Sequence, residues 1–275
     1  MDLLITNGAL SAKLSDKGIV TTDFDESTPS LTPNTLSFKG RNGKLNFGGD
    51  YTDKKLSYNG YMQSSNQSDY ESKRNWLYQL LGSSTPYYIT PIYSDSSQYD
   101  FERPGESTGS KLGQLGGIES NKRYYVTLDD TFAPELAGSV NGKQIYKLSI
   151  SFVTAVLPFG ETKPKTATVT NSIPYAGTVK ASQLEVPFYI QLTAKQTASA
   201  ISLKIGSRTW TYSGTVVSGD VFKIGGVYNL KNTLSVNDNT NLEYFTLDPS
   251  AVGTVAVTCS ITATIEIHDY KELYL

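Results

Sequence analysis

The sequence predicts a mainly β chain in two domains, with a single α-helix. Short stretches in which apolar and polar residues alternate follow one another along most of its length, the pattern of strands with one buried face. Glycine, asparagine, aspartate and proline punctuate these stretches at turn spacing. Tyrosine, with 19 copies in 275 residues, favours strands and buries a ring while keeping a polar tip in water. Only one segment carries a helical signature.

In the first half, the alternating runs 36–41 and 44–47 flank Asn42-Gly43. Asn-Gly between such runs predicts a hairpin, because both residues tolerate the positive φ of a type I′ turn. Residues 55–62 alternate again as a third strand. The helix is expected over residues 68–81. Ser68 and Glu71 form a Ser-x-x-Glu capping pattern, and Asp69 suits the first turn and pairs with Lys73. Tyr70, Leu77, Leu80 and Leu81 share one face, bordered by Trp76, and Gly82 stops the helix. Pro86 and Pro91 in the aromatic run 86–93 point to an edge strand or a strand end. Residues 94–119 turn polar and glycine-rich and read as a long loop or extended arm, a length that in a compact domain is usually functional. The sheet resumes at 122–128 and at 144–153.

Leu157-Pro158-Phe159-Gly160-Glu161 and the following Lys163-Pro164-Lys165 read as a boundary. Domains are therefore expected at 1–157, with the arm at 94–119, and at 166–275, joined by a linker at 158–165. The second domain reads as a β-sandwich, with strands at 184–192, 201–205, 209–212, 220–224, 228–236, 242–247, 254–261 and 263–268.

Net charge is −2, with 15 basic against 17 acidic residues in 1–157 and nine against nine in the rest. That lacks the basic excess that grips a phosphate backbone, so specific nucleic-acid binding is not expected. No segment reaches membrane-spanning length, and the start carries no secretory pattern, so folding in a bacterial cytoplasm is the expectation. One cysteine, Cys259, and one histidine, His268, do not supply a Cys/His zinc site. Cys259 reads as a buried structural thiol and His268 as a solvent-facing strand end. Asp129-Asp130 reads as a solvated turn and not a glycosidase pair. Asp23, Asp25 and Glu26 loosely match a calcium loop without its glycine or distant glutamate. No phosphate loop, dinucleotide fingerprint or nucleophile elbow occurs. The expectation is no enzyme activity, no catalytic or metal residues and no cofactor.

The order of features resembles the siphophage distal tail proteins. The residues that carry the likeness are Gly40-Arg41-Asn42-Gly43, then Asn75-Trp76-Leu77-Tyr78-Gln79-Leu80-Leu81, Pro86-Tyr87-Tyr88, Tyr124-Tyr125-Val126-Thr127-Leu128, and Ile150-Ser151-Phe152 before Pro158-Phe159. In the second half they are Ser218-Gly219-Asp220-Val221-Phe222-Lys223-Ile224 and Thr264-Ile265-Glu266-Ile267-His268-Asp269-Tyr270. The resemblance implies an amino-terminal belt domain with β-sheets and one helix, and a galectin-like carboxy-terminal β-sandwich. It implies a homo-hexameric ring in the virion tail tip or baseplate, linking the tail tube to the adsorption apparatus. Its implied partners are the major tail tube protein, the tape-measure protein, a tail-associated hub protein and receptor-binding proteins. The galectin likeness does not carry sugar binding with it, because the His-Asn-Arg cluster and Trp-Gly pair of galectin sites do not occur here, and Trp210 reads as core. The alternative reading is a carbohydrate-binding adhesin module that contacts the host surface through the second domain.

Overall fold

Strands dominate the structure, a computed structural model that describes residues 1–94 and 117–275. The chain divides into two units, Met1–Gly160 and Glu161–Leu275. The first runs β1 (Asp2–Asn7), β2 (Leu10–Lys13), β3 (Ile19–Glu26), β4 (Leu31–Leu36), β5 (Leu45–Tyr51) and β6 (Lys55–Ser64). Helix α1 (Gln67–Leu81) follows, then β7 (Tyr87–Ser94), β8 (Gly117–Glu119), β9 (Tyr124–Leu128), β10 (Glu135–Val140) and β11 (Lys143–Thr154). One antiparallel sheet has the order β2-β1-β7-β9-β11-β6-β3, with β8 beside β7 and β10 beside β11. Strands β4 and β5 form a separate two-stranded sheet.

Alternation along β11 buries Tyr146, Leu148, Ile150 and Phe152. They stand opposite Met62, Gly60, Tyr58 and Leu56 of β6. Gly60 is required here, because a Cβ would lie 2.4 Å from the Tyr58 hydroxyl and 2.8 Å from the Val20 carbonyl. Leu77, Leu80 and Leu81 of α1 close over the same core with Leu3 and Ile5, and Tyr70 and Trp76 pack at its margin. The Asn7 side chain donates to the Leu80 carbonyl at 3.0 Å, pinning the end of the helix to β1.

The helix is capped two residues earlier than the Ser68 pattern indicates. Asn66 is the N-cap and its Oδ1 accepts from the Asp69 amide at 2.9 Å, while Asp69 accepts from Ser65 N at 2.9 Å and pairs with Lys73 at 3.1 Å. Asn66→Ala is therefore expected to cost about 1 kcal/mol and Ser68→Ala less than about 0.5 kcal/mol, measured by chemical denaturation. The reverse order would restore Ser68 as the cap.

Three further expectations need correction. Residues 37–44 form a longer connection between β4 and β5, with positive φ at Gly40 and Gly43 but not at Asn42, so the hairpin exists without a two-residue type I′ turn. Strand β7 is interior, between β1 and β9. Pro91 is tolerated there because β9 pairs with residues 87–89 and β8 with residues 92–94, leaving the proline nitrogen at the gap between them. The segment 94–119 is not a single loop either. Ser94 ends β7 and Gly117–Glu119 forms β8, while residues 95–116 of the expected arm lie outside the described residues.

The second unit contains β13 (Lys165–Val169), β14 (Ser172–Pro174), β15 (Ala181–Ser182), β16 (Tyr189–Ala194), β17 (Ala198–Ile205), β18 (Arg208–Val216) and β19 (Val221–Ile224), after β12 (Gly160–Glu161) at the boundary. It continues with β20 (Asn229–Lys231), β21 (Leu234–Ser235), β22 (Thr246–Leu247), β23 (Thr254–Cys259), β24 (Ala263–Tyr270) and β25 (Leu273–Tyr274). A six-stranded sheet, β13-β24-β16-β19-β20-β21, faces a four-stranded one, β14-β23-β17-β18. Trp210 of β18 plugs the space between them, with its ring 6.1 Å from that of Phe222 on β19 and its indole N–H donating to Asn229 of β20 at 3.1 Å. Residues 184–188 and 242–245 are not strands, although their composition alternates. The run 228–236 is two short strands turned at Asn232-Thr233, where both residues take positive φ. The turn is held by Asn232, which donates to Asp220 at 2.7 Å and accepts from the Val221 amide at 2.8 Å.

Candidate assembly interface

In the first unit, every residue from 31 to 51 is exposed except Leu45 and Gly49. The hairpin nevertheless carries large apolar side chains. Leu31, Leu36, Phe38, Phe47 and Tyr51 are between 43% and 67% exposed. An isolated two-stranded hairpin is at best marginally stable in water, so this one is held by its feet. Backbone bonds zip the base: Ser27 N to Lys55 O at 3.0 Å, Ser30 N to Asp53 O at 2.7 Å, and Thr52 N to Ser30 O at 3.0 Å. Tyr51 also meets the Phe159 ring edge-on at 5.8 Å.

A charged cluster fixes these feet to the sheet. Lys54, where the hairpin returns, is only 2% exposed, and its ammonium sits 3.1 Å from Glu26, where the hairpin leaves. Lys122 reaches the other oxygen of the same carboxylate at 2.9 Å, and the Tyr124 hydroxyl donates to it. Thr154 closes the cluster from β11, accepting from Lys54 N at 2.9 Å and donating its own amide to Lys54 O at 3.0 Å. Burial alone would raise the Glu26 carboxyl. The hydrogen bonds from Tyr124, Lys122 and Lys54 outweigh it and hold the carboxyl below its usual range. Burial and the same carboxylate push the Tyr124 phenol up. One anion therefore serves two cations and a phenol, a satisfied network that stiffens the root of the hairpin.

Beyond the hairpin, β10 is exposed along its whole length, with Leu136 at 63% and Val140 at 59%. Among the described residues, β2 and β3 end the main sheet with unpaired edges, and Val20 and Leu10 stand exposed on them. Unpaired edges and apolar projections are costly in a lone chain and are ordinarily covered by a partner.

The residues singled out in the sequence fall elsewhere or take other roles. Glu26 belongs to the hairpin clamp. Asp23 and Asp25 lie exposed on β3, and Asp25 is held above the usual carboxylate range by its hydrogen bond to, and repulsion from, Asp23. Asp129, just beyond β9, pairs with Lys55 at 2.9 Å, and Asp130 accepts from Thr131 N at 2.6 Å, as a turn requires. Cys259 is half-buried instead of buried, a free thiol raised by burial. His268 does not simply face solvent. It is half-buried, and its ring stacks on Tyr189 at 4.8 Å. Sequence reasoning missed Lys54, since nothing distinguishes it locally from Lys55.

Among the described residues, the first unit is strand-built, with an apolar hairpin held at its root by a charged cluster. Residues 12–154, slightly more than half of the chain, match the family described as the phage tail protein RIFT-related domain, and the chain belongs to that family of phage tail proteins. No match is found among curated protein sequences. The fold is similar over 98% of both chains to the Dit protein (gp 19.1) of phage SPP1, with a TM-score of 0.63 at 12% identity. That protein is described as a paradigm of the hub adsorption apparatus in phages infecting Gram-positive bacteria. Two baseplate structures of phage p2, in the activated conformation with strontium and with calcium, align over 98% of this chain and 97% of theirs at 8% identity. Their TM-scores of 0.39 and 0.41 are too low to bear on the fold.

Proposed function

We propose that the chain is a distal tail protein of a long-tailed phage, closing with further copies into a ring, hexameric in this reading, at the tail tip. The observation that carries the proposal is the exposed hairpin of residues 31–51 with its rigid charged root. A stiff apolar projection on one copy and uncovered strand edges on the next make a head-to-tail contact, and such contacts generate a ring where the rotation between neighbours closes. The ring links the tail tube to the adsorption apparatus, with the tube, tape-measure, hub and receptor-binding proteins as neighbours. In this reading the belt domain is 1–157, the galectin-like sandwich is 166–275, and neither is an enzyme or holds a cofactor. The protein is assembled in the host cytoplasm and resides in the virion tail tip.

Mass photometry and negative-stain microscopy of the purified chain test this. The wild type is expected to form rings. A Leu31→Ser, Phe47→Ser double variant is expected to stay monomeric while its thermal stability changes by less than about 1 kcal/mol, since both side chains are exposed in the monomer. A strict monomer at high concentration, or rings that survive the double substitution, would overturn the assignment to this hairpin.

A further inference from the structure

Two surfaces of the first unit carry opposite charges that the chain itself does not pair. From residue 31 to 49 the hairpin holds Lys39, Arg41 and Lys44 and no acidic residue. All three lie in the exposed connection between β4 and β5, and among the described residues none of their side chains makes an ion pair. Phe38 stands exposed beside them.

The second surface is on β3. A bulge at Thr22 resets the strand's alternation, so that Val20, Asp23 and Asp25 share the outward face, opposite Tyr61, Asn59 and Ser57 of β6. Val20 and Tyr61 are exposed at the apolar end of this face. Asp23 and Asp25 are exposed at its acidic end, repel one another, and have no cation beside them among the described residues. The nearby lysines are committed elsewhere: Lys55 to Asp129 at 2.9 Å, and Lys54 and Lys122 to Glu26. Other free edges differ. Strand β2 carries Lys13, and Glu135 of β10 stands opposite Lys147.

Within one chain the two surfaces stand apart. The bonds from Ser27 to Lys55 and from Ser30 to Asp53 place the root of the hairpin between them, and the six residues of β4 alone span about 17 Å beyond it. We propose that the hairpin tip of one copy docks on the β3 face of the next, with Lys39, Arg41 and Lys44 against Asp23 and Asp25, and Phe38 against Val20 and Tyr61. The proposal rests on the ring reading above and names the surface that receives the hairpin. The partner is a second copy because each chain carries both halves of the match, one on its projection and one on its body. Exposed ion pairs add little affinity, whereas like charges brought together are costly, so the charges set the register and the apolar side chains supply the hold.

Charge reversal in the full-length protein tests this. One variant reverses the tip (Lys39→Glu, Arg41→Glu, Lys44→Glu) and the other the receiving face (Asp23→Lys, Asp25→Lys). By mass photometry, each alone is expected to need at least about tenfold more protein than wild type to form rings. An equimolar mixture should recover assembly, because alternating copies then meet with opposite charges at every contact. Carbodiimide cross-linking of mixed light and heavy-nitrogen wild type should join Lys39 or Lys44 to Asp23 or Asp25 of a different copy, which decides the matter if a variant fails to fold by circular dichroism. Wild-type rings without that cross-link, either variant assembling alone as wild type does, or a mixture no better than its components would overturn the docking and leave the ring standing. A strictly monomeric wild type would overturn the ring reading and the docking together.

Discussion

Glu26→Gln is expected to lower the stability of the first unit by about 3 kcal/mol, a fall of about 10 °C in its melting transition. The loss comes less from the missing attraction than from Lys54, whose ammonium is left charged at 2% exposure with no anion beside it. Lys122, more exposed, turns to water and loses little. Only two tryptophans occur, Trp76 in the first unit and Trp210 in the second, so fluorescence in single-tryptophan backgrounds resolves the two transitions. The first should shift and the second should not. The effect is pH-dependent with a defined sign. The Glu26 carboxyl is held below its ordinary value of 4.5, so its contribution is complete above that value and is lost as pH falls through the lower folded one. Wild type and variant should therefore converge in acid. A loss under about 1 kcal/mol at neutral pH, or a difference that grows on acidification, would refute the clamp. Lys54→Met in the Glu26→Gln background should recover most of the loss, because the uncompensated charge is then gone.

Trp210→Ala is expected to cost the second unit about 4 kcal/mol. The indole is fully buried between the two sheets, against Phe222 at 6.1 Å and beside Tyr212 at 6.5 Å. Its removal opens a cavity where the facing sheets cannot collapse together without breaking their own ladders. It also strips the N–H donor from the Asn229 oxygen, in a residue only 1% exposed. Trp210→Phe fills part of the cavity but leaves Asn229 unserved, and should cost about half as much. Scanning calorimetry with near-ultraviolet dichroism measures both. Equal, small losses from the two substitutions would mean that the indole is not the inter-sheet plug.

Much of the fold was legible because strand alternation and helix capping are local. The regular run 144–153 became β11, and Leu77, Leu80 and Leu81 share the buried face that their spacing indicates. Local reasoning erred where two neighbouring solutions had similar chemistry. Asn66 and Ser68 both cap well, and the choice fell to Asn66 because Asp69 then reaches back to Ser65. The positive-φ pair that makes a tight turn sits at Asn232-Thr233, where Asp220 and Val221 hold the asparagine, and not at Asn42-Gly43, where nothing comparable does. Strand β10 went unread because all of its side chains are exposed and none alternates in burial.

Periodicity and turn residues by themselves determined a mainly β chain with one amphipathic helix. Those properties depend on neighbours within a few residues. Only the tertiary structure decided which charges are buried, which strands are interior and which hairpin stands clear of the body. Glu26 meets Lys54, Lys122 and Tyr124 from as far as 98 residues away, and Tyr189 finds His268 from the far end of its unit. Such meetings are set by sheet register, and register answers to the packing of the whole core instead of any short stretch of chain.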